Sequence, residues 1–171
     1  MSLLANSNAI STGGYTIDNS LRLRASASAY LNRTFTTPTN NKIWTWSAWV
    51  KRSTLTSTQI LLATSGDELR YIADGGASGV VDSFQYNLST GTYGFRTNAT
   101  YRDVSAWYHI VVAVDTTQAT AANRARIYIN GLEASTDGTY GIVQNANTQI
   151  NSAVAHNIGR RTTGSLYFDG Y

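Results

Sequence analysis

Cysteine is absent from the chain, which excludes a disulfide framework and any thiolate metal site. Oxidising and reducing surroundings are therefore tolerated alike. No stretch approaches the ~20 apolar residues that a membrane-spanning helix requires. Residues 1–10 lack the basic segment and apolar run of a secretory leader, so no membrane insertion and no leader are expected. Charge is also scarce, at 13% of residues with a net +3, and the lysines are limited to Lys42 and Lys51. The arginines are dispersed, with Arg160 and Arg161 the densest pair, so the basic stripe of a nucleic-acid binder is missing. No window of helical length carries an apolar stripe of period 3.6 with caps; residues 119–122 allow one helical turn.

What the chain does have is length enough for a core and a repeating β pattern. A chain of this size buries roughly 70% of its unfolded surface. Residues 1–19 are short of large apolar side chains and are read as an arm that docks on another chain. Residues 20–171 are read as one domain. Strands are expected at residues 21–25, 29–35, 43–51, 59–64, 69–73, 83–88, 93–98, 107–115, 124–130, 155–158 and 166–168. The segment at 36–42, with the single proline and two asparagines, reads as a loop. Glycines punctuate the rest and take φ > 0 in turns without steric cost.

The most strand-like stretch is IWTWSAWVK at 43–51. Its pleat places Trp44, Trp46, Ala48 and Val50 on one face and Ile43, Thr45, Ser47 and Trp49 on the other. In 108–114 apolar residues fall on both faces, which predicts a central strand covered on both sides. Many short strands at spacings near ~10 residues imply a sandwich or barrel.

Three segments carry a more specific resemblance: WSAWVKR at 46–52, WYHIVV at 107–112, and RIYING at 126–131. The segments NIG at 157–159 and FDGY at 168–171 follow in order. Together they resemble the concanavalin A-like, laminin G-like jelly-roll family. The resemblance implies an all-β fold, a jelly-roll β-sandwich of two antiparallel sheets. The combination with SLRLRASASAYLNRT and VDTTQATAANRARIYING is similar to structural proteins of tailed bacteriophages, namely fibre and appendage components. In the family a further strand follows the FDGY segment; here Tyr171 is the last residue, so an uncovered sheet edge is expected, with a neighbouring subunit or further residues to cover it.

Catalysis has little to draw on. Glycosidases need two close carboxylates, about 5 Å apart for retention. The glutamates are Glu68 and Glu133, with no alternating acidic pattern around either. A Ser-His-Asp arrangement would recruit His109 with Asp115 or Asp103, yet nothing selects a serine, and a structural histidine is the expected reading. His156 is read the same way. No enzyme is expected. Laminin G-like domains often hold Ca²⁺ at a rim through hard oxygen ligands, and the resemblance points to Asp67, Asp74, Asp82 and Asp137 in or beside loops. Solvated turn aspartates are the alternative, and no other cofactor is implied. Trp44, Trp46, Trp49 and Trp107 lie in apolar strands and are assigned to the core ahead of a sugar platform. Tyr71, Tyr86, Tyr93, Tyr101 and Tyr140, near turns, are the candidates for exposed ligand contact. Three Asn-x-Ser/Thr triplets begin at Asn32, Asn87 and Asn98, as chance allows in an Asn- and Thr-rich chain.

The function expected is a non-enzymatic structural or adhesion module on a bacteriophage virion. It would be a homo-oligomer that contacts neighbouring virion proteins and host surface glycans. The alternative is a free carbohydrate-binding, lectin-like domain, with or without Ca²⁺.

Overall fold

The computed structural model describes residues 19–55, 57–73, 82–88, 93–137 and 141–171. The expected arm lies outside them except for Asn19. Ten strands form among the described residues: β1 (Leu31–Thr34), β2 (Ile43–Val50), β3 (Gln59–Ala63), β4 (Glu68–Ile72), β5 (Ser83–Asn87), β6 (Tyr93–Arg96), β7 (Tyr108–Asp115), β8 (Ala125–Ile129), β9 (Leu132–Glu133) and β10 (Ala155–Ile158). They assemble into two antiparallel sheets, one of six strands ordered β1-β10-β3-β4-β5-β6 and one of four ordered β2-β7-β8-β9. The result is the jelly-roll sandwich that the sequence implied.

Period-two alternation decides which side chains meet between the layers. The small sheet turns Trp44, Val50, Ile110, Val112, Val114 and Ile127 inward. Against them the large sheet sets Leu61, Leu62, Leu69, Tyr71, Phe84, Tyr86 and Phe95. Each such side chain contributes about 1.5–3 kcal/mol by leaving water. The rings meet edge to face, Trp44 on Tyr86 at 5.6 Å and Tyr71 on Phe84 at 5.6 Å, as ring quadrupoles favour. The buried Trp44 indole donates from Nε1 to Thr148 Oγ1 at 2.8 Å, so its polar atom is not stranded.

Charge is drawn inside as well, at Arg52, Asp67, Glu68, Asp82 and Arg96. Arg52, just past β2, is 2% exposed, stacks 4.6 Å from the Tyr71 ring centre and donates from Nη1 to Asp82 Oδ1 at 2.9 Å. Asp82 also faces the Nε of Arg102 at 3.3 Å.

Local chemistry accounts for the turn between β8 and β9. Asn130 and Gly131 both take positive φ, 52° and 83°, which matches the twist of a tight hairpin and returns the chain as β9. That short strand was not expected. Residues 21–25 do not form the strand expected; Leu23 makes a single bridge to Gly170 and a 3-10 turn follows at Ala25–Ala27, closed by Ser28 at φ 52°. Residues 166–168 do not form one either, because Leu166 sits at φ 52°. The helical turn expected at 119–122 is a 3-10 turn at Ala121–Asn123. β7 is central, as expected, but only its inner face is fully covered, with Val111 and Ala113 half-buried on the other.

Candidate functional site

β2 is an edge strand: it pairs with β7 on one side and has no strand partner on the other among the described residues. Its outer-face residues therefore have a strand neighbour on one side alone, β7. Trp49 is 52% exposed and Ile43 is 47% exposed, so Trp49 is a correction to its assignment to the core. Trp107, 40% exposed just before β7, is corrected in the same way, whereas Trp44 is buried and Trp46 packs half-buried against the core. The alternation of 43–51 already put Trp49 opposite Trp44 and Trp46. What it lacked was the knowledge that this face meets water.

Trp49 and Trp107 frame the mouth of an apolar cleft of about 320 Å³ on the open side of the sandwich. Leu23, Leu61, Val50 and Phe168 line its buried part, and Tyr171 and Leu21 stand at its rim. Three segments remote in sequence meet there. Gly170 makes this possible: it bridges both Leu23 and Arg52, and a Cβ on it would stand 2.1 Å from the Lys51 carbonyl oxygen. Any other residue would drive 169–171 off its place between 22–24 and 51–53.

The aromatic rings are held in orientation. Trp49 stacks on His109, with ring centres 5.0 Å apart and planes at 26°, and His109 Nε2 shares a 3.0 Å hydrogen bond with Ser47 Oγ. His109 is thus a supporting residue on the outer face, partly exposed rather than enclosed in the packing. Trp107 lies 6.1 Å from the Tyr171 ring. The Arg22 guanidinium covers Tyr171 at 4.9 Å and donates to its hydroxyl at 3.0 Å, which holds Arg22 above its ordinary pKa with help from the Asp169 carboxylate. The arrangement offers apolar ring faces with Asn19 and Ser20 in the lining, donors and acceptors suited to hydroxyl groups.

The tyrosines named from sequence go elsewhere. Tyr71 and Tyr86 are fully buried because β4 and β5 turn them between the layers, and Tyr101, in the connection between β6 and β7, is buried against Tyr71 and Tyr108, a correction to their expected exposure. Burial pushes all three hydroxyls above the usual tyrosine pKa. Tyr93 is half-buried with the Arg96 guanidinium 4.7 Å over its ring. Tyr140 lies outside the described residues.

Two of the four aspartates expected as Ca²⁺ ligands are held by protein donors. Asp67 Oδ2 accepts from the Tyr86 hydroxyl at 3.1 Å and from the Gln149 N–H at 2.8 Å. Asp82 is held between Arg52 and Arg102, and a cation would have to displace two guanidiniums. The backbone N–H of Asp137 donates to the Arg96 carbonyl at 3.0 Å, and Asp74 lies outside the described residues. No group of three or more histidine, aspartate or glutamate side chains comes together among the described residues. The two glutamates are on different sheets. Arg161 and Arg70 clasp Glu68 in β4, with Arg161 Nη2 at 2.9 Å and Arg70 Nη1 at 3.0 Å, while Glu133 in β9 faces Arg126 at 3.4 Å.

The two-layer antiparallel topology with an aromatic cleft at one open side defines a concanavalin A-like sandwich. The chain belongs to the concanavalin A-like lectin/glucanases superfamily, whose laminin G-type family model matches residues 23–171. No curated protein matches the sequence. Among solved structures it is similar to a candidate carbohydrate-binding protein from Bacteroides ovatus, with 19% identity, a TM-score of 0.57 and 82% of this chain covered. The match spans 38% of that protein's chain. It is also similar to the CBM40 domain of the Ruminococcus gnavus IT-sialidase, at 13% identity and a TM-score of 0.52, covering 84% of this chain and 87% of that one. The same domain bound to α2,3-sialyllactose matches at 14% identity and a TM-score of 0.52, over 84% and 87% of the two chains.

Proposed function

We propose that the chain is a non-catalytic, lectin-like carbohydrate-binding module whose sugar seat is the aromatic cleft of Trp49, Trp107 and Tyr171. The observation that carries this is the pair of half-exposed indoles, one braced by His109 and the other beside Tyr171. The C–H faces of a sugar ring gain by covering such rings, and its hydroxyls find Asn19 and Ser20 in the lining. The carbohydrate-binding neighbours of the same fold add weight to this choice among binding functions. Support for the absence of catalysis comes from the two glutamates, each tied to arginine and separated onto different sheets. Adhesion of a virion to host glycans would use the same seat; that setting rests on the sequence resemblance alone.

The test is a glycan array followed by calorimetric titration of the best ligand. Binding should appear, and Trp49→Ala and Trp107→Ala should each weaken it with unchanged melting temperature. Two variants that bind like the parent, or an array with no ligand, would refute the proposal.

A further inference from the structure

The outer face of the small sheet carries a side-chain pattern that the cleft alone does not use. Strand register sets it in rows across β2, β7 and β8: Trp49 opposite His109, Ser47 opposite Val111 and then Tyr128, Thr45 opposite Ala113 and then Arg126. The outward residues of β2 are all exposed, and Val111 and Ala113 beside them are half-buried. Side chains stand perpendicular to a sheet, whereas strand pairing runs in its plane, so this face keeps its composition whatever lies along the edge of β2. Size varies along it in a regular way. Thr45, Ser47, Val111 and Ala113 are short and make a low floor two strands wide. The larger Tyr128 and Arg126 border that floor on the β8 side. Trp49 stacked on His109 bounds one end, and Ile43 with Asp115 bounds the other. From Ile43 to Trp49 this furrow runs about 20 Å at the strand rise of ~3.4 Å per residue.

The furrow starts at the sugar seat, and the charges at its border already have counterparts. Arg126 pairs with Glu133 at 3.4 Å and donates to Asn123 at 2.7 Å. Asp115, at the far end, accepts from the Thr117 and Gln118 side chains, both at 2.6 Å. Lys51, beyond Trp49, lies close to Asp103, whose carboxyl the Ser105 hydroxyl and then Lys51 hold below its ordinary pKa. An acidic chain would therefore compete for cations that are already partnered. A neutral chain has no such competition: the methyl groups of Val111 and Ala113 receive its C–H faces, and the hydroxyls of Thr45 and Tyr128 match its own. Direction follows from size, since the floor stays low from Ser47 to Thr45 along the strands and rises at Tyr128 and Arg126 across them. The length exceeds that of any single sugar ring. We infer that the ligand is a linear, neutral polysaccharide, with one ring on Trp49 and the units beyond it lying along β2 and β7 toward Ile43. The inference rests on the carbohydrate-binding reading and adds to it the class of sugar and the path of the chain.

Calorimetric titration with cello-, malto-, xylo- and arabino-oligosaccharides, from disaccharide to hexasaccharide, reads length and class together. At least one series should bind, tightening at least tenfold from disaccharide to tetrasaccharide and levelling off once the furrow is full. Its affinity should be indifferent to salt. Thr45→Arg sets a long charged side chain on the floor about 13 Å from Trp49; it should abolish the gain with length and leave the melting temperature nearly unchanged. Trp49→Ala should weaken every member of the series. A disaccharide that binds through Trp49, with longer members no tighter, overturns the furrow and leaves the lectin reading standing. So does a gain with length that Thr45→Arg does not touch. Oligogalacturonates that bind more tightly than neutral chains of equal length overturn the neutral class. A dimer that Thr45→Arg dissociates, seen by sedimentation, would give this face to a second copy and is equally fatal. No binding by any saccharide removes the sugar seat and the furrow with it.

Discussion

Replacing Trp49 by alanine separates a binding role from a packing role. The side chain of tryptophan offers up to about 250 Å². At 52% exposure roughly 130 Å² of Trp49 is in water. A sugar ring covers one face, about half of that, so ~60 Å² leaves solvent on binding. At about 25 cal/mol per Å² this amounts to ~1.5 kcal/mol, close to a tenfold change in Kd. Stability should barely respond, since Trp49 points away from the core and touches chiefly His109. Trp44 supplies the contrast. It is 7% exposed, edge-on to Tyr86 and hydrogen-bonded to Thr148, so Trp44→Ala should cost about 3–5 kcal/mol of stability. Titration calorimetry with the array-selected glycan gives the first number and thermal melts give the second. Trp49→Ala with unchanged affinity, or with a loss of stability like that of Trp44→Ala, would refute the reasoning.

Three further outcomes follow from the same geometry. Asp82→Asn keeps the left-handed backbone at φ 56° tolerable but leaves Arg52 charged and buried, so it should cost about 3–5 kcal/mol, whereas Arg52→Met should cost less. Denaturant melts compare the two, and the reverse order would show that the ion pair is not what stabilises this corner. Glycan affinity should be the same with and without a divalent-metal chelator, since Asp67 and Asp82 are held by protein donors; loss on chelation would return calcium to the site. Burial raises the pKa of Tyr71, Tyr86 and Tyr101 above the unfolded value near ~10, so their contribution to stability is whole below that pH and lost as pH rises past it. Absorbance at the phenolate band should show them ionising only together with unfolding; ionisation in the folded protein near the ordinary pKa would contradict their burial.

What the sequence determined by itself is local. The pleat has a period of two residues, so IWTWSAWVK and YHIVVAV already state which side chains of β2 and β7 share a face, and Asn130-Gly131 already states a tight turn. These sufficed for most of the strands and for a two-sheet architecture; the family rested on the resemblance of the segments at 46–52, 107–112 and 126–131. Which face then meets another layer depends on pairings between residues far apart. Trp49 is exposed because it lies on the outer face of an edge strand, Tyr71 and Tyr86 are inside because their strands sit over the small sheet, and Tyr101 is inside because its connection packs it on Tyr71 and Tyr108. Asp67 and Asp82 are spoken for by Gln149 and Arg52, neither of them a sequence neighbour. The cleft exists only where Leu23, Val50, Trp107 and Tyr171 converge. Short-range alternation cannot encode that convergence, because it arises from chain segments brought together by burial and by the hydrogen bonds of Gly170 with Leu23.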